Sequence, residues 1–339
     1  DEDHETTYEL SGGAELDQLK VSTGTLLITL ESTIEQKSHF EFALPSAHDA
    51  YGNSISLSED LPPAPPGGTS GLTKSFNLSG YTFDLTGVSG TEHNTYFTHL
   101  VASIDSTGEL VTISKNDSVH IDYTLQGIVP GYVKGFLGQQ ILNIGPATTP
   151  FEGLKNIQGG TLGLEAADIS MTIKNGVGVP ARINLYNLTS VNSSTGKNVA
   201  LTWTQLNVPL SIASATDNPF TPSFTTFNLN NSNSNIKSLI DNLPDSLKYS
   251  LDIFINPNGN VSNYHDFAYD TSALDVDLNL SIPLSLVATN LTLQDTFDFS
   301  LGTQEEGDPT IKEGIFNLIA DNGFPLSASS QLYFYDDEL

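Results

Sequence analysis

Alternation of apolar and polar residues is the property that most narrows the folds open to this chain. The clearest run covers residues 274–282, where five apolar side chains alternate with four polar ones. Residues 25–34, 39–44, 119–125 and 249–253 repeat the pattern. Successive side chains of a β-strand point to opposite faces of its sheet. A period of two therefore predicts antiparallel strands with one buried face.

Helical periodicity is confined to one short segment. The apolar residues at helical spacing are Ile236, Leu239, Ile240 and Leu243. Pro244 follows them and ends the predicted helix. Because helices do not alternate with strands along the chain, a parallel α/β sheet is not expected. We predict an all-β fold of two to three antiparallel immunoglobulin-like β-sandwich domains, with one short helix near residues 234–243.

A strand–turn–strand unit occurs twice. In residues 169–186, and again in residues 315–334, an apolar run ends in Asn-Gly and a proline soon starts a second run. Asn-Gly followed by proline is typical of a turn between strands. The turns predicted at residues 175–180 and 322–325 therefore join strands and do not bind phosphate.

The repeats also suggest how the chain divides. A Gly-Pro and Thr-Pro tract at residues 145–150 marks a boundary. We predict an N-terminal β-sandwich domain at residues 1–147 and a C-terminal β-sandwich region at residues 148–339. A second repeated motif, found at residues 208–214 and again at residues 282–288, indicates duplication in the C-terminal region. That region holds either two related sandwiches or one larger sandwich built by duplication.

Charge and composition exclude several classes of function. The chain carries 12 Lys plus Arg against 40 Asp plus Glu, a net charge of −28, which disfavours binding to nucleic acid. It contains no cysteine, so thiolate catalysis and Cys-based metal sites are excluded. No apolar run reaches the roughly 18 residues of a membrane span. Uncharged polar residues dominate, as in extracellular β-proteins. The acidic start at residues 1–5 resembles either a mature end left by processing or an arbitrary boundary, and a lipid anchor upstream of it is a hypothesis.

Carboxylates in the C-terminal region are the candidate metal ligands. Asp275 and Asp277 lie on one face of a predicted strand, and Glu305, Glu306 and Asp308 lie in an acidic loop. Hard oxygen ligands of this kind bind Ca²⁺. A solvated strand face and an ordinary acidic turn explain the same residues. Calcium is the one cofactor that the sequence suggests, and a metal-dependent hydrolase that uses these carboxylates is an alternative function.

Catalytic motifs are missing from the sequence, and its aromatic residues allow two interpretations. No nucleophile elbow, Walker loop, dinucleotide-binding fingerprint or His-Glu-x-x-His motif occurs, so we predict that the chain is not an enzyme. The histidines are predicted to lie exposed on strands and loops. Aromatic clusters at residues 81–83, 96–97, 264–269 and 333–335 fit core packing or a carbohydrate-binding surface. The second interpretation would make the chain a carbohydrate-binding accessory protein.

Two resemblances follow from these motifs. The Asn-Gly-Pro units resemble the Asn-Pro opening of water-stress and LEA-2 (WHy) β-sandwich domains, although Asn-Gly stands here in place of Asn-Pro. The blocks at residues 131–140, 191–196, 293–298 and 321–325 resemble uncharacterised cell-envelope proteins of Bacteroidota. The second resemblance implies export and a lipoprotein relative, and it brings no activity or catalytic residue.

The sequence thus predicts a non-enzymatic structural or binding protein. We expect it at the outer membrane, at the cell surface or outside a bacterium, in contact with other envelope or surface proteins. The expected role is that of a scaffold, an adhesion protein or a subunit of an envelope complex. The partner and the oligomeric state remain open.

Overall fold

The computed structural model describes residues 2–104, 113–152, 154, 156–282, 286–296, 315, 319, 327 and 329–333. Contacts between residues divide the chain into two compact units, residues 1–294 and residues 295–339. Every strand and helix given below lies in the first unit. The second copy of the Asn-Gly unit, with its predicted turn at residues 322–325, lies largely outside the described residues.

Long strands dominate the N-terminal half of the described chain. They are β1 (Glu2–Thr7), β2 (Glu15–Ser32), β3 (Ser38–His48), β4 (Ser54–Leu61), β5 (Ser70–Asn77), β6 (Thr82–Asp84), β7 (Thr95–Ile104) and β8 (Val119–Phe136). The alternating runs at residues 39–44 and 119–125 lie within β3 and β8, and the run at 25–34 lies mostly within β2.

The C-terminal half continues with shorter strands and a helix. The strands are β9 (Gln140–Pro150), β10 (Ile157–Leu164), β11 (Asp168–Asn175), β12 (Ala181–Asn192), β13 (Lys197–Ala200), β14 (Leu210–Ile212), β15 (Ser223–Leu229), β16 (Ser246–Ile255), β17 (Asp266–Tyr269), β18 (Leu274–Ser281) and β19 (Leu286–Leu293). The helix α1 spans Ile236–Asp241 and buries Ile236, Leu239 and Ile240. It lies inside the segment predicted to be helical.

The predicted fold class is confirmed. The strands pair antiparallel in several sheets, and α1 is the one α-helix among the described residues. Within the described ranges, no helix is long and apolar enough to cross a membrane.

The large sheet has nine strands, in the order β1-β7-β3-β6-β2-β8-β17, with β4 paired to β3 and β5 paired to β2. Its long strands β2 and β3 contribute to one core, as their alternation predicts. The fully buried side chains of these two strands include Leu26, Ile28, Leu30, Phe40, Phe42 and Leu44. Burying such a side chain stabilises a fold by about 1.5–3 kcal/mol relative to leaving it exposed.

A sandwich of two sheets forms most of the C-terminal half. The five-stranded sheet has the order β13-β12-β16-β9, with β14 also paired to β12, and the three-stranded sheet has the order β15-β11-β18. Leu185 of β12 and Ile169 of β11 share one core, which α1 completes with Leu239. Beside this sandwich, β10 and β19 pair as a two-stranded ribbon.

The first Asn-Gly unit crosses between these two sheets. Its strands β11 and β12 belong to different sheets, so the predicted turn at residues 175–180 is an arch over the end of the core. Asn175 is buried; its Nδ2 donates a hydrogen bond to Ala213 O at 2.9 Å, and its Oδ1 accepts one from Val177 N at 2.8 Å. The arch therefore ties the end of β11 in one sheet to the chain that follows β14 in the other sheet.

Strand β17 connects the two halves of the first unit. It lies in sequence between β16 and β18, which both belong to the sandwich, but it pairs with β8 of the large sheet. Its Phe267 packs on the arch, where Gly178 N donates a hydrogen bond to Phe267 O at 2.9 Å. A Cβ atom on Gly178 would lie 2.1 Å from two ring carbons of Phe267. The arch and the ring therefore touch without room for any side chain.

Asp266 lies next to that contact and is completely buried. Its Oδ2 accepts hydrogen bonds from Asn256 Nδ2 at 2.6 Å and from Leu137 N at 3.2 Å. Asn256 Nδ2 also donates to Gly138 O at 3.0 Å. One carboxylate thus joins β17, the end of β16 and the β8–β9 connection.

The predicted boundary between residues 147 and 148 falls inside β9, which pairs with β16 over its length. The division at that point stays a prediction.

Candidate binding edge

The inner face of the three-stranded sheet is built from cross-strand rows of mostly apolar residues, with Thr225 as a polar member. Met171 lies between Phe227 of β15 and Leu278 of β18, and Ile173 lies between Thr225 and Val276. Directly opposite residues of an antiparallel pair share a face. The apolar side of the run at residues 274–282 therefore faces the sandwich core, as predicted.

That apolar side is only half covered. Val276 is 51% exposed and Leu278 is 47% exposed, whereas Ile173 in the next strand is 1% exposed. On the opposing sheet, Leu142 of β9 shares a face with Ile253 and is 44% exposed. We call Leu142, Val276 and Leu278 the open edge.

The incomplete cover has a simple cause in the topology. Strand β18 pairs with β11 along one side, and no strand among the described residues pairs with its other side. Ile173 and Ile183 belong to one buried cluster. In the opposing sheet, Ile183 shares a cross-strand row with Ile253 and Leu142. Val276 and Leu142 are thus the outermost described residues of the rows that contain Ile173 and Ile183, and Val276 lies where the three-stranded sheet ends.

A cavity of about 40 Å³ lies between the two sheets beside this border. Its lining includes Leu185, Leu188, Trp203, Ile240, Leu247 and the half-exposed Leu278. The indole Nε1 of Trp203 is buried without a hydrogen-bond partner in the described part of the chain. The cavity adjoins the open edge through Leu278 and offers room for one small aliphatic group.

The outer face of the three-stranded sheet is polar apart from Phe224 of β15. Asp275 lies opposite Lys174, with 3.4 Å between Lys174 Nζ and Asp275 Oδ2. Asp277 lies opposite Thr172, whose hydroxyl is 3.1 Å from that of Thr226. The strand thus shows apolar residues inward and carboxylates outward.

The structure brings two of the five predicted calcium ligands onto one surface. Asp275 and Asp277 share the outer face of β18, whereas Glu305, Glu306 and Asp308 lie outside the described residues. Where side chains are described, no group of three or more His, Cys, Asp or Glu is placed to hold one metal ion. The calcium site stays a prediction.

Histidines of the large sheet form hydrogen bonds with carboxylates from other parts of the chain. The Nδ1 atoms of His39, His93 and His99 lie 2.7–2.8 Å from Oδ1 of Asp60, Asp17 and Asp3. Hydrogen bonding to Asp60, and then to Glu41, raises the pKa of His39 above its usual 6.5. The sequence predicted surface histidines but not these pairs, because the partners come from other strands or loops.

Replacing Asp60 with asparagine is expected to lower the pKa of His39. The His39 pair stabilises the fold below the unfolded-state pKa of about 6.5 and loses its effect as pH rises through the higher folded-state pKa. NMR titration of the His39 ring measures the shift. Glu59→Gln is the control, because Glu59 pairs with Lys74 instead. An unchanged His39 titration in Asp60→Asn would contradict the assignment.

An aromatic cluster forms where β8, β17 and residues 213–222 meet. Tyr132 and Tyr269 both donate a hydrogen bond to Asp217, at 2.7 and 2.9 Å. Burial, and then the bond to Asp217, raises the pKa of Tyr132. Phe220 packs edge-on against Tyr269 and is 47% exposed. The sequence grouped Tyr269 with its near neighbours and missed Tyr132 and Asp217, which are far away along the chain.

The predicted clusters at residues 81–83, 96–97 and 264–269 each divide between core and surface, whereas residues 334 and 335 of the fourth cluster lie outside the described residues. Phe83, Tyr96 and Phe267 are buried. Their neighbours Tyr81, Phe97 and Tyr264 are partly exposed. Only Tyr96 and Phe97 are adjacent residues of one strand, and there the alternation of β7 places one ring in the core.

The chain shows little similarity to known proteins. A solved structure that matches it is a crystal structure of a predicted secreted protein from Parabacteroides distasonis, with 10% identity, 80% coverage of each chain and a TM-score of 0.23. A TM-score this low carries no argument about fold, function or location. No protein-family model and no curated protein matches the chain. The resemblances to LEA-2 domains and to Bacteroidota envelope proteins stay hypotheses.

Proposed function

We propose that the protein is an exported, non-enzymatic binding protein that holds a protein partner at the open edge. The observation that carries this proposal is the half-exposed apolar row of β18, which faces a sandwich core at a border without a further described strand. Apolar rows that are accessible and rimmed by polar groups favour protein contact. The acidic, Ser/Thr/Asn-rich composition supports export to the cell envelope or beyond.

Charge supports the choice of a protein partner over nucleic acid. The net charge of −28 repels phosphate backbones, and Asp275 and Asp277 flank the open edge. A partner that covers Leu142, Val276 and Leu278 would complete the sandwich as a further strand or loop would.

Site-specific crosslinking in the producing organism tests this proposal. A photoreactive phenylalanine analogue replaces Val276 in the full chain, and the same analogue at Val88, which is 63% exposed on a loop of the large sheet, is the control. We expect a defined protein adduct from position 276 and none from position 88.

Second-site variants decide whether the adduct depends on the open edge. Leu278→Lys is expected to abolish the adduct, because it adds a charge to the apolar row. Ile141→Lys, on the outer face of β9, is expected to leave it intact. Equal adducts from both labelled positions, or an adduct that survives Leu278→Lys, would refute the proposal.

A further inference from the structure

We propose that the partner binds by adding a β-strand to the free side of β18, with aliphatic residues facing inward and basic residues facing outward. This inference rests on the proposed function and specifies the chemistry of its partner. Strand addition is a recurrent mode of peptide recognition in which main-chain hydrogen bonds hold the peptide and alternate side chains give specificity.

The backbone of β18, on the side away from β11, offers N–H and C=O groups with which an added strand can form hydrogen bonds. All eight of its residues have register partners in β11, with no bulge. A strand that is regular on one side presents an equally regular row of N–H and C=O groups on the other. Natural edge strands are commonly blocked by proline, bulges or inward-pointing charges. Strand β18 has no proline, and its inward residues at the centre are Val276 and Leu278.

The inward positions of an added strand would meet apolar surface. Such a strand would lie beside Val276 and Leu278. Cross-strand neighbours lie about 4.5–5.5 Å apart, within contact distance for aliphatic side chains. The cavity beside Leu278 can accept the end of one of these side chains. Valine or isoleucine suits these positions, because β-branched residues favour strands.

The outward positions would meet carboxylates. Asp275 and Asp277 alternate with the apolar residues and share the outer face. Lys174 already pairs with Asp275, whereas the row of Asp277 holds the hydroxyls of Thr172 and Thr226. Opposite charges on cross-strand neighbours are favourable, so lysine or arginine suits the outward positions. A second copy of this chain, with 40 acidic against 12 basic residues, fits these positions poorly.

A synthetic peptide tests the inference on the full chain. The probe is an acetylated and amidated peptide of eight residues, the length of β18, in which valine alternates with lysine. One control peptide has the same composition with the valines grouped together, and another has glutamate in place of lysine. Fluorescence anisotropy at about 0.15 M salt gives the affinities, since salt at this level screens nonspecific attraction.

We expect the alternating peptide to bind at least about tenfold more tightly than either control peptide, because it alone matches both faces. Hydrogen exchange should slow at alternate amides of residues 274–281. Val276→Lys should weaken binding by about tenfold, because an inward charge blocks edge pairing. Phe224→Lys changes the net charge equally on the outer face of β15, and it should alter binding by less than about twofold.

Three results would overturn the inference. Equal binding of the grouped peptide would show attraction by charge alone. Binding without slower exchange in β18 would show a different site. Protection of the β18 amides that point away from β11, before peptide is added, would show that the edge is filled by the chain itself or by a second copy. A crosslink from position 276 together with any of these results would retain the proposed function and reject strand addition.

Discussion

Replacing Gly178 with alanine is expected to lower the free energy of unfolding by about 3 kcal/mol, at the upper end of typical overpacking effects. The added Cβ would lie 2.1 Å from two carbons of the Phe267 ring, far inside van der Waals contact. Phe267 is 2% exposed and has little room to withdraw. Either the arch or β17 must move, and both belong to the connection between the two halves. Denaturant unfolding of the purified variant measures the change.

Two further variants make this prediction specific. Gly159→Ala is the matched control, because a Cβ there would meet no atom within 4 Å. It should change stability by no more than about 0.5 kcal/mol. Phe267→Leu should reduce the effect of Gly178→Ala when the two changes are combined, since the smaller side chain relieves the clash. Additive effects of the two changes would contradict the proposed contact.

Replacing Asp266 with alanine is expected to destabilise the protein by about 1–3 kcal/mol, the cost of leaving a buried hydrogen-bonding group without its partner. The change leaves Leu137 N without its acceptor and removes one of the two acceptors of Asn256 Nδ2. It also opens a void where the carboxylate was completely buried. Thermal and denaturant unfolding both report the loss.

Asp270→Ala is the control for Asp266→Ala. Asp270 lies four residues further along, and its side chain is exposed. Its removal should change stability by less than about 0.5 kcal/mol. An Asp266→Ala variant as stable as the native protein would contradict the prediction. It would mean that the cost of burying the carboxyl group offsets its two hydrogen bonds.

The sequence predicted local structure well because strand alternation is a local property. The runs at residues 119–125, 249–253 and 274–282 all lie in or along observed strands, and the helix was predicted within two residues of its observed bounds. The structure adds that Val276 and Leu278 are half exposed. Alternation shows which side of β18 is apolar, but it does not show that β18 ends its sheet.

The contacts between β17 and the rest of the first unit could not be predicted from the sequence, because they join residues that are far apart along the chain. Asp266 binds Leu137 N across 129 residues, and Tyr132 binds Asp217 across 85 residues. Sheet topology alone determines such pairs, and no local pattern marks them. Asn175-Gly176 was correctly predicted as a connection between strands, but its role as a crossing between two sheets depends on which partners β11 and β12 find.

The route of β17 has a consequence for how the chain folds as it is synthesised. On the side of β8 away from β2, residues 132–135 stay unpaired until residues 266–269 emerge, long after the rest of the large sheet has been made. Non-local pairings of this kind slow folding, because the ends of a long loop must meet first. Nascent chains that stop before β17 would leave these four residues of β8 as an unpaired edge, and unpaired strand edges favour misassembly with neighbouring chains. We therefore expect the N-terminal half to reach its final form only when most of the chain has been completed.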